Sequence, residues 1–419
     1  MPFPLRFGAN YVPAEGWFYS WLDFSADAAR RDLADLAGIG LDHIRIFPVW
    51  PWIQPNRALI RQRGIDDVLA LIDVAAEFGL GVCVDLLQGH LSSFDFLPSW
   101  VLTWHRRSLF TDRDVRDGLA AYVDRLTREV ATRDNVFAVT LGNEVNNLFP
   151  ANGTTPGASS AWAAELVGVA RAAAPRLLAL HSLYDATWYD PAHPFHPADN
   201  VGLGDLTTVH SWVFNGVSAI DGPLGPATVS HADYLVELAA AASADPLRPV
   251  WLQEVGVPRP DVPEADAPAF VRGLLDLVTA NPALYGVTWW CSHDLDRSLA
   301  DFPEREYDLG LFTVDHRIKP ATRELAAVIA DHRRTESAVI ADRRRTGSAA
   351  IARHRPALVC EVDLAAEPGR RAEVAPGSAF HAEWVRLRRS GPVAIVTKAR
   401  CADAAHLEAR GIDTVLTQA

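Results

Sequence analysis

The fold is decided by the stretch that begins with Leu41-Asp-His-Ile-Arg-Ile-Phe47 and ends with Gly81-Val-Cys-Val-Asp-Leu-Leu87. Both ends of this stretch are short apolar runs. Between them, the apolar residues of segment 65–78 recur at helical spacing. Because buried parallel strands read as continuous hydrophobic runs, this alternation predicts a β-α-β unit.

Apolar runs of this kind recur along residues 1–330, and helix-like segments separate most of them. Eight such units predict a (β/α)₈ barrel with long loops. An open, doubly wound sheet is the structural alternative, but no Gly-x-Gly-x-x-Gly turn follows the first run. The predicted strands are 6–11, 41–47, 81–87, 136–141, 177–181, 206–212, 249–254 and 285–291.

Beyond the predicted barrel of residues 1–330, residues 331–356 are predicted to form a basic helical arm that ends at Pro356. An 11-residue near repeat starts at Ala330 and again at Ala341, close to three helical turns. Its arginines leave a nucleic-acid or partner-docking role open. No aromatic residue that could stack on bases lies between them, so a solvated spacer is favoured.

Residues 357–419 are predicted to form a small α/β module. It has strand-like runs at 357–362, 393–398 and 414–416, and helix-like segments at 380–389 and 404–410. A unit of this size buries too little surface to be stable alone. We therefore expect it to dock on the barrel or to join protomers of a homo-oligomer.

Composition narrows the class of protein. The net charge is −13, from 39 basic and 52 acidic residues, which argues against a nucleic-acid or anionic membrane partner. No basic segment followed by an apolar one marks a secretion signal, and no apolar run reaches the roughly 18–20 residues that span a bilayer. The four cysteines are far apart and offer neither a metal pair nor a disulfide framework. We expect a cytoplasmic protein without a metal or cofactor.

Two glutamates follow apolar runs at the ends of predicted strands. Glu144 closes Val136-Phe-Ala-Val-Thr-Leu-Gly-Asn-Glu144, and Glu254 closes Pro249-Val-Trp-Leu-Gln-Glu254. Strand ends meet on the C-terminal face of a (β/α)₈ barrel, where such enzymes carry their chemistry. Two facing carboxyl groups are what glycoside hydrolysis requires. The alternative is structural, with one glutamate paired to Arg45.

Together these residues resemble the retaining (β/α)₈ glycosidases, and within them glycoside hydrolase family 5. The resemblance covers residues 6–325, and the matching positions run in the family's order. They are Arg45 in His-Ile-Arg-Ile-Phe, Asn143-Glu144, His210 in Thr-Val-His-Ser-Trp, Glu254 in Leu-Gln-Glu-Val-Gly, and Trp290 in Val-Thr-Trp-Trp.

The resemblance assigns a role to each matching position. It makes Glu144 the acid/base and Glu254 the nucleophile, which Arg45 would keep ionised. It also makes Asn143 the partner of the sugar 2-hydroxyl, and Trp290 the floor under the sugar ring. His210 would orient the acid/base. These roles agree with the different environments that a protonated acid and an ionised nucleophile need.

The chain departs from the family pattern at two places. A tyrosine usually stands two residues after the sixth-strand histidine, where this chain has Trp212. That hydroxyl contact is therefore lost or supplied elsewhere, for example by Tyr11. The third strand usually ends in a histidine close behind an aspartate, and here either Gln88 or His90 could fill that place.

Loop segments resemble a bacterial branch of family 5 that contains exo-acting β-mannosidases, including enzymes that cleave mannosyl-β-1,4-N-acetylglucosamine. They are 7–21, 87–100 and 104–107. Twelve of the 13 tryptophans precede residue 300, which suits sugar stacking in a pocket. His293 and Asp294, just beyond the eighth strand, are candidates for holding sugar hydroxyls or form an ordinary loop turn.

The sequence therefore predicts a retaining exo-β-mannosidase whose partner is a short oligosaccharide. An endo-β-mannanase or β-glucanase of the same family is one alternative. A non-catalytic sugar-binding barrel is the other.

Overall fold

Eight parallel strands follow one another around a barrel in chain order, and the first pairs with the last. The computed structural model describes residues 4–102, 106–346 and 354–418. The strands are β1 (Arg6–Asn10), β2 (His43–Ile46), β3 (Gly81–Asp85), β4 (Val136–Thr140), β5 (Leu178–Leu180), β6 (Thr207–Ser211), β7 (Val250–Val255) and β8 (Leu284–Trp289). All eight predicted strands are present, and the (β/α)₈ prediction is confirmed. β5 and β6 are the two ends of the sheet, and across this seam Thr208 Oγ1 donates to the His181 carbonyl at 2.9 Å.

Helices pack around the barrel with their apolar faces inward. Several begin at side-chain caps: the Asp112 carboxylate accepts from Val115 N at 3.1 Å, and Ser25 and Thr155 cap two others. The helices are α1 (Ala26–Gly38), α2 (Gln62–Glu77), α3 (Arg113–Val130), α4 (Pro156–Ala173), α5 (Pro226–Ala242), α6 (Ala267–Val278) and α7 (Pro320–Thr346).

The predicted arm overlaps α7, which runs past residue 330 to Thr346. Residues 347–353 lie outside the described part, as do Trp104 and His105 of the loop segment 104–107. The prediction that Pro356 ends the arm is wrong, because a strand already begins at Arg355. Proline cannot donate to a strand ladder and is tolerated near a strand start, where a register shift falls between Arg355 and Pro356.

The small α/β module is confirmed as a three-stranded parallel sheet with two helices. Its central strand β9 (Arg355–Cys360) pairs with β10 (Ala394–Thr397) and with β11 (Ile412–Leu416), and its helices are α8 (Ala379–Arg388) and α9 (Ala404–Ala409). The module packs on α5, which is buried almost along its whole length. The barrel covers one face of this helix and the module covers another.

Two carboxylates of α5 meet arginines of the module. Glu237 pairs with Arg355 and, at 2.9 Å, with Arg410, while Asp233 pairs with Arg388 at 2.6 Å. We call these five residues the interface cluster.

None of the helices in the described ranges is long and apolar enough to cross a membrane.

Candidate active site

The two glutamates predicted from the strand ends meet at the C-terminal face of the barrel. Glu254 lies in β7, and Glu144 follows β4. One carboxylate oxygen of each and a ring nitrogen of His210 all lie within 4.8 Å of one another. Glu144 is only 7% exposed and Glu254 only 3%, so two carboxyl groups share a nearly dry site.

Three donor groups surround the Glu254 carboxylate. Arg45 Nη1 donates to it at 3.0 Å and Trp212 Nε1 at 3.3 Å, while His210 Nδ1 lies 3.3 Å away. Burial alone would raise the pKa of Glu254, but the charges and hydrogen bonds of His210 and Arg45 outweigh it and lower that pKa. Glu254 is therefore held ionised.

Arg45 is the centre of a buried polar group. Its guanidinium binds both carboxylate oxygens of Asp85, at 2.8 and 2.7 Å, and donates to Asn143 Oδ1 at 2.8 Å. Burial, with the nearby Glu254 charge, raises the pKa of Asp85 to about 6 even though Arg45 opposes this. We call Arg45, Asp85, Glu144, His210 and Glu254 the catalytic cluster, after the roles that the sequence predicts for its two glutamates.

Glu144 has its own partners. Its residue adopts a left-handed backbone with φ 43°, which is uncommon for a residue with a side chain. His210 Nδ1 lies 2.6 Å from Glu144 Oε1, and Asn147 Nδ2 donates to Oε2 at 2.9 Å. Burial would lower the pKa of His210, but Glu254 and Glu144 raise it to about 9. The Glu144–His210 pair thus holds a proton at neutral pH.

These groups open into a pocket of about 420 Å³. Six of the predicted binding or catalytic residues line it: His90, Asn143, Glu144, Trp212, Glu254 and Trp290. Arg45 and His210 lie directly behind the two glutamates and contact them. Between the two third-strand candidates, His90 faces the pocket, whereas Gln88 is buried behind it and donates to the His90 carbonyl at 2.6 Å.

Three predicted residues have other partners. The Tyr11 hydroxyl donates to Asp32 at 2.7 Å and does not contact Glu254, to which the Trp212 indole donates instead. His293 Nε2 lies 3.3 Å from Asp35. Asp294 is bound by Lys319 and accepts from Gly310 N at 2.9 Å. The pocket lining does not include Tyr11, His293 or Asp294.

The sequence prediction did not include several groups of the site. Asp85 could have been found, because it ends β3 beside Arg45. Tyr184 lines the pocket from a loop, and Asn147, Arg305 and Glu306 line it from short 3₁₀ turns; neither kind of segment carries a periodic signal. Burial and the charges of Glu254 and Glu144 raise the pKa of Glu306 to about 7 against its hydrogen bond with Ser92.

Two groups of described side chains come close enough to share a cation. The first is Glu144, His210 and Glu254, and the second is Asp32, His293 and His316. In the second group, His316 Nδ1 lies 2.7 Å from Asp35, and Asp32 accepts from Tyr11. The side chains of the second group therefore already have partners within the protein.

Comparison with known proteins adds the family. No family model and no curated protein matches the chain. Among solved structures, GH5_18 from Streptomyces cattleya in complex with GlcNAc is 47% identical over 99% of this chain and 98% of that one, with a TM-score of 0.91. A glutamate-to-alanine variant of it, in complex with Manβ1-4GlcNAc, gives 46% identity, 99% and 99% coverage and a TM-score of 0.89.

A similar variant of GH5_18 from Bifidobacterium longum subsp. longum, also in complex with Manβ1-4GlcNAc, is 38% identical over 99% of this chain and 96% of that one, with a TM-score of 0.90. At this identity and coverage, the likeness extends over barrel and module together. The chain is therefore a glycoside hydrolase and belongs to family 5, subfamily 18.

Proposed function

We propose that this glycoside hydrolase is a retaining exo-β-mannosidase that removes the terminal mannose from short oligosaccharides such as Manβ1-4GlcNAc. The observation that carries the proposal is the approach of the Glu144 and Glu254 carboxylates to within 4.8 Å, measured between oxygens. Retaining glycosidases hold their carboxyl groups about 5–5.5 Å apart, whereas inverting ones leave about 6.5–9.5 Å for a water molecule. The separation favours direct attack by one carboxylate.

In the first step, Glu254 attacks the anomeric carbon of mannose while Glu144 protonates the departing glycosidic oxygen. Arg45 and His210 keep Glu254 ionised, as an attacking group must be. The proton that Glu144 delivers comes from the Glu144–His210 pair, whose nitrogen and oxygen are 2.6 Å apart. The products are a mannosyl-Glu254 ester and the free leaving-group sugar.

In the second step, a water molecule replaces the leaving-group sugar. Glu144, now ionised, accepts a proton from this water, which attacks the anomeric carbon and releases Glu254. Two inversions give net retention, and the acid of the first step serves as the base of the second.

Two residues of the pocket support binding at the reacting sugar. Asn143 is fixed by Arg45 through its Oδ1. Its Nδ2 donates to the His90 carbonyl at 3.5 Å and has a second hydrogen for the sugar 2-hydroxyl. A contact at that hydroxyl strengthens as charge develops in the transition state. Trp290 lines the same pocket and gives the apolar face of the sugar a surface to stack on.

The substrate assignment is supported by the two related structures in complex with Manβ1-4GlcNAc, which are 46% and 38% identical to this chain. The exo assignment is supported by loop residues that surround the two glutamates. They include Tyr184, Phe214, Arg305 and Glu306.

The test is a panel of substrates, with the anomeric form of the first product as an additional measurement. We expect release of nitrophenol from 4-nitrophenyl β-mannoside but not from the β-glucoside, and release of mannose from Manβ1-4GlcNAc. Proton NMR of the first product should show β-mannose before mutarotation. Failure to cleave β-mannosides would overturn the substrate, and α-mannose as the first product would overturn the retaining mechanism. Cleavage of mannan into oligosaccharides instead would identify an endo-β-mannanase.

A further inference from the structure

The loop between β5 and β6, residues 181–206, connects the C-terminal module with the pocket. Tyr184 of this loop lines the pocket beside Glu144. A helical turn follows at Ala186–Tyr189, and this part of the chain contacts the module. We call this segment the β5–β6 loop.

Arg371 of the module is inserted into the β5–β6 loop. It lies in the 3₁₀ turn Pro368–Val374 and is fully buried. Its guanidinium donates to four backbone carbonyls, those of Thr187 at 3.1 Å, Asp190 at 2.5 Å, His193 at 2.6 Å and Phe195 at 3.0 Å. One planar guanidinium therefore fixes nine consecutive residues of the loop. The compact ammonium group of a lysine could not bind all four carbonyls.

The other end of the loop is bound to the turn that carries Glu144. Tyr184 N donates to Asn146 Oδ1 at 2.7 Å, and Asn146 Nδ2 donates to Tyr184 O and to Thr187 Oγ1, both at 3.4 Å. Asn146 is fully buried and stands two residues after Glu144. Thr187 thus contacts Arg371 through its carbonyl and Asn146 through its hydroxyl.

We propose that Arg371 is a positioning residue for the acid/base: it fixes the β5–β6 loop, which through Asn146 fixes the turn that carries Glu144. This inference rests on the proposed function, in which Glu144 protonates the leaving oxygen. It gives the C-terminal module a part in catalysis without any contact to substrate. A displacement of about 1 Å at a reacting group can cost about 100-fold in rate.

A misplaced acid has a signature that lost stability does not produce. Manβ1-4GlcNAc needs its leaving oxygen protonated, whereas 2,4-dinitrophenyl β-mannoside releases a stable anion that needs no proton. Displacement of Glu144 therefore slows the first substrate far more than the second. Partial unfolding lowers both rates by the same factor.

The experiment measures kcat/KM on both substrates for Arg371→Met and Arg371→Lys, at a temperature where circular dichroism shows each variant folded. We expect about a 10- to 100-fold loss on Manβ1-4GlcNAc and little loss on the dinitrophenyl substrate, with Arg371→Lys the milder of the two. Arg370→Met is the matched control. Arg370 is the exposed neighbour, pairs with Glu367 and Glu373, and should leave both rates unchanged.

Arg388→Met is the second control, because it breaks the Asp233 pair of the interface cluster without touching the β5–β6 loop. We expect a lower melting temperature and an unchanged ratio of the two rates. The inference is overturned if both Arg371 variants slow the two substrates equally, or slow neither. Inactivity of the unmodified enzyme on both β-mannosides would instead overturn the proposed function, and the inference with it.

Discussion

The catalytic cluster and the interface cluster both consist of buried carboxylates paired with basic side chains, but the two clusters have different roles. In the interface cluster, both oxygens of Glu237 are occupied, by Arg355 and Asn281 on one side and by Arg410 and Ile395 N on the other. Burial would raise the pKa of Glu237, but the two arginines lower it. The result is a carboxylate with both oxygens paired, which joins two parts of the chain.

The catalytic cluster has an excess of carboxylates instead. Asp85, Glu144 and Glu254 share Arg45 and His210, and the two glutamates face a pocket. Paired buried charges stabilise contact between parts of a protein only when every member is satisfied. A carboxylate that is incompletely compensated and faces a pocket is available to a substrate. The catalytic cluster has such carboxylates, whereas Glu237 of the interface cluster serves to join the module to the barrel.

The largest effect should come from Glu254→Gln, which removes the proposed nucleophile. We expect kcat/KM on 4-nitrophenyl β-mannoside to fall about 10⁴-fold or more, as with other nucleophile replacements. The melting temperature should be maintained, because the change removes one charge from an excess and leaves the Arg45–Asp85 pair intact. Enzyme assays and thermal melts check both parts, and retention of more than a hundredth of the activity would contradict the assignment.

The matching change in the interface cluster is Glu237→Gln, which should have the opposite profile. It leaves Arg355 and Arg410 buried without their carboxylate, and loss of one partner of a buried pair costs about 3–5 kcal/mol. We expect that loss in the free energy of unfolding, measured with urea, and unchanged kcat in the folded fraction. Glu361→Gln, which breaks the exposed pair with Lys398, is the control and should not change the melt. If Glu237→Gln lost activity without losing stability, the proposed difference in role between the two clusters would be wrong.

The pH profile tests the proton held by the catalytic cluster. The pKa of His210 is raised to about 9, so the Glu144–His210 pair keeps its proton below that pH and loses it as the pH rises through 9. We expect kcat/KM to be level on the alkaline side of neutrality and to fall about tenfold per pH unit above 9. A fall that begins near pH 7 would show that His210 does not hold the proton.

The smallest effect should come from Glu306→Gln. This carboxyl group lines the pocket, where it can accept hydrogen bonds from sugar hydroxyls. At pH 8.5, above its pKa of about 7, this carboxyl group is ionised. Hydrogen bonds to a charged group contribute about 1.5–3 kcal/mol, so we expect KM at that pH to rise about tenfold or more with a smaller change in kcat. Glu304→Gln is the matched control in the same turn, since Glu304 is exposed and pairs with Arg297. An unchanged KM in Glu306→Gln would exclude this contact.

Much of the fold could be predicted from the sequence because a parallel barrel strand is buried on both sides. Each strand therefore appears as an apolar run, and its end is marked by the first polar residues, as in Asn143-Glu144. The end of the arm could not be placed in this way. Pro356 suggested a helix stop, but the adjoining apolar run continues back to Arg355 as a strand.

The candidate site was predictable where its residues stand on strands. Arg45, His210 and Glu254 lie within strands, and the barrel brings them together. Tyr11 was misplaced because its side chain points to Asp32 of α1, a direction that the sequence pattern does not specify. Glu306 lies in a short 3₁₀ turn and Tyr184 in a loop, and the paths of both depend on tertiary contacts and not on periodicity. The contacts of Arg371 could not be predicted for the same reason, since 176–184 residues separate it from the carbonyls of Phe195 and Thr187.

That separation has a consequence in time. Synthesis adds about 5–20 residues per second, so the 176 residues between Phe195 and Arg371 take roughly 10–35 s to emerge after the loop has been made. β6, β7, β8 and α7 are made during the same interval. Until Arg371 emerges, water must solvate the carbonyls of the β5–β6 loop. If Arg371 has the role proposed for it, a newly synthesised chain reaches full activity only after the module has been made and Arg371 has bound the loop.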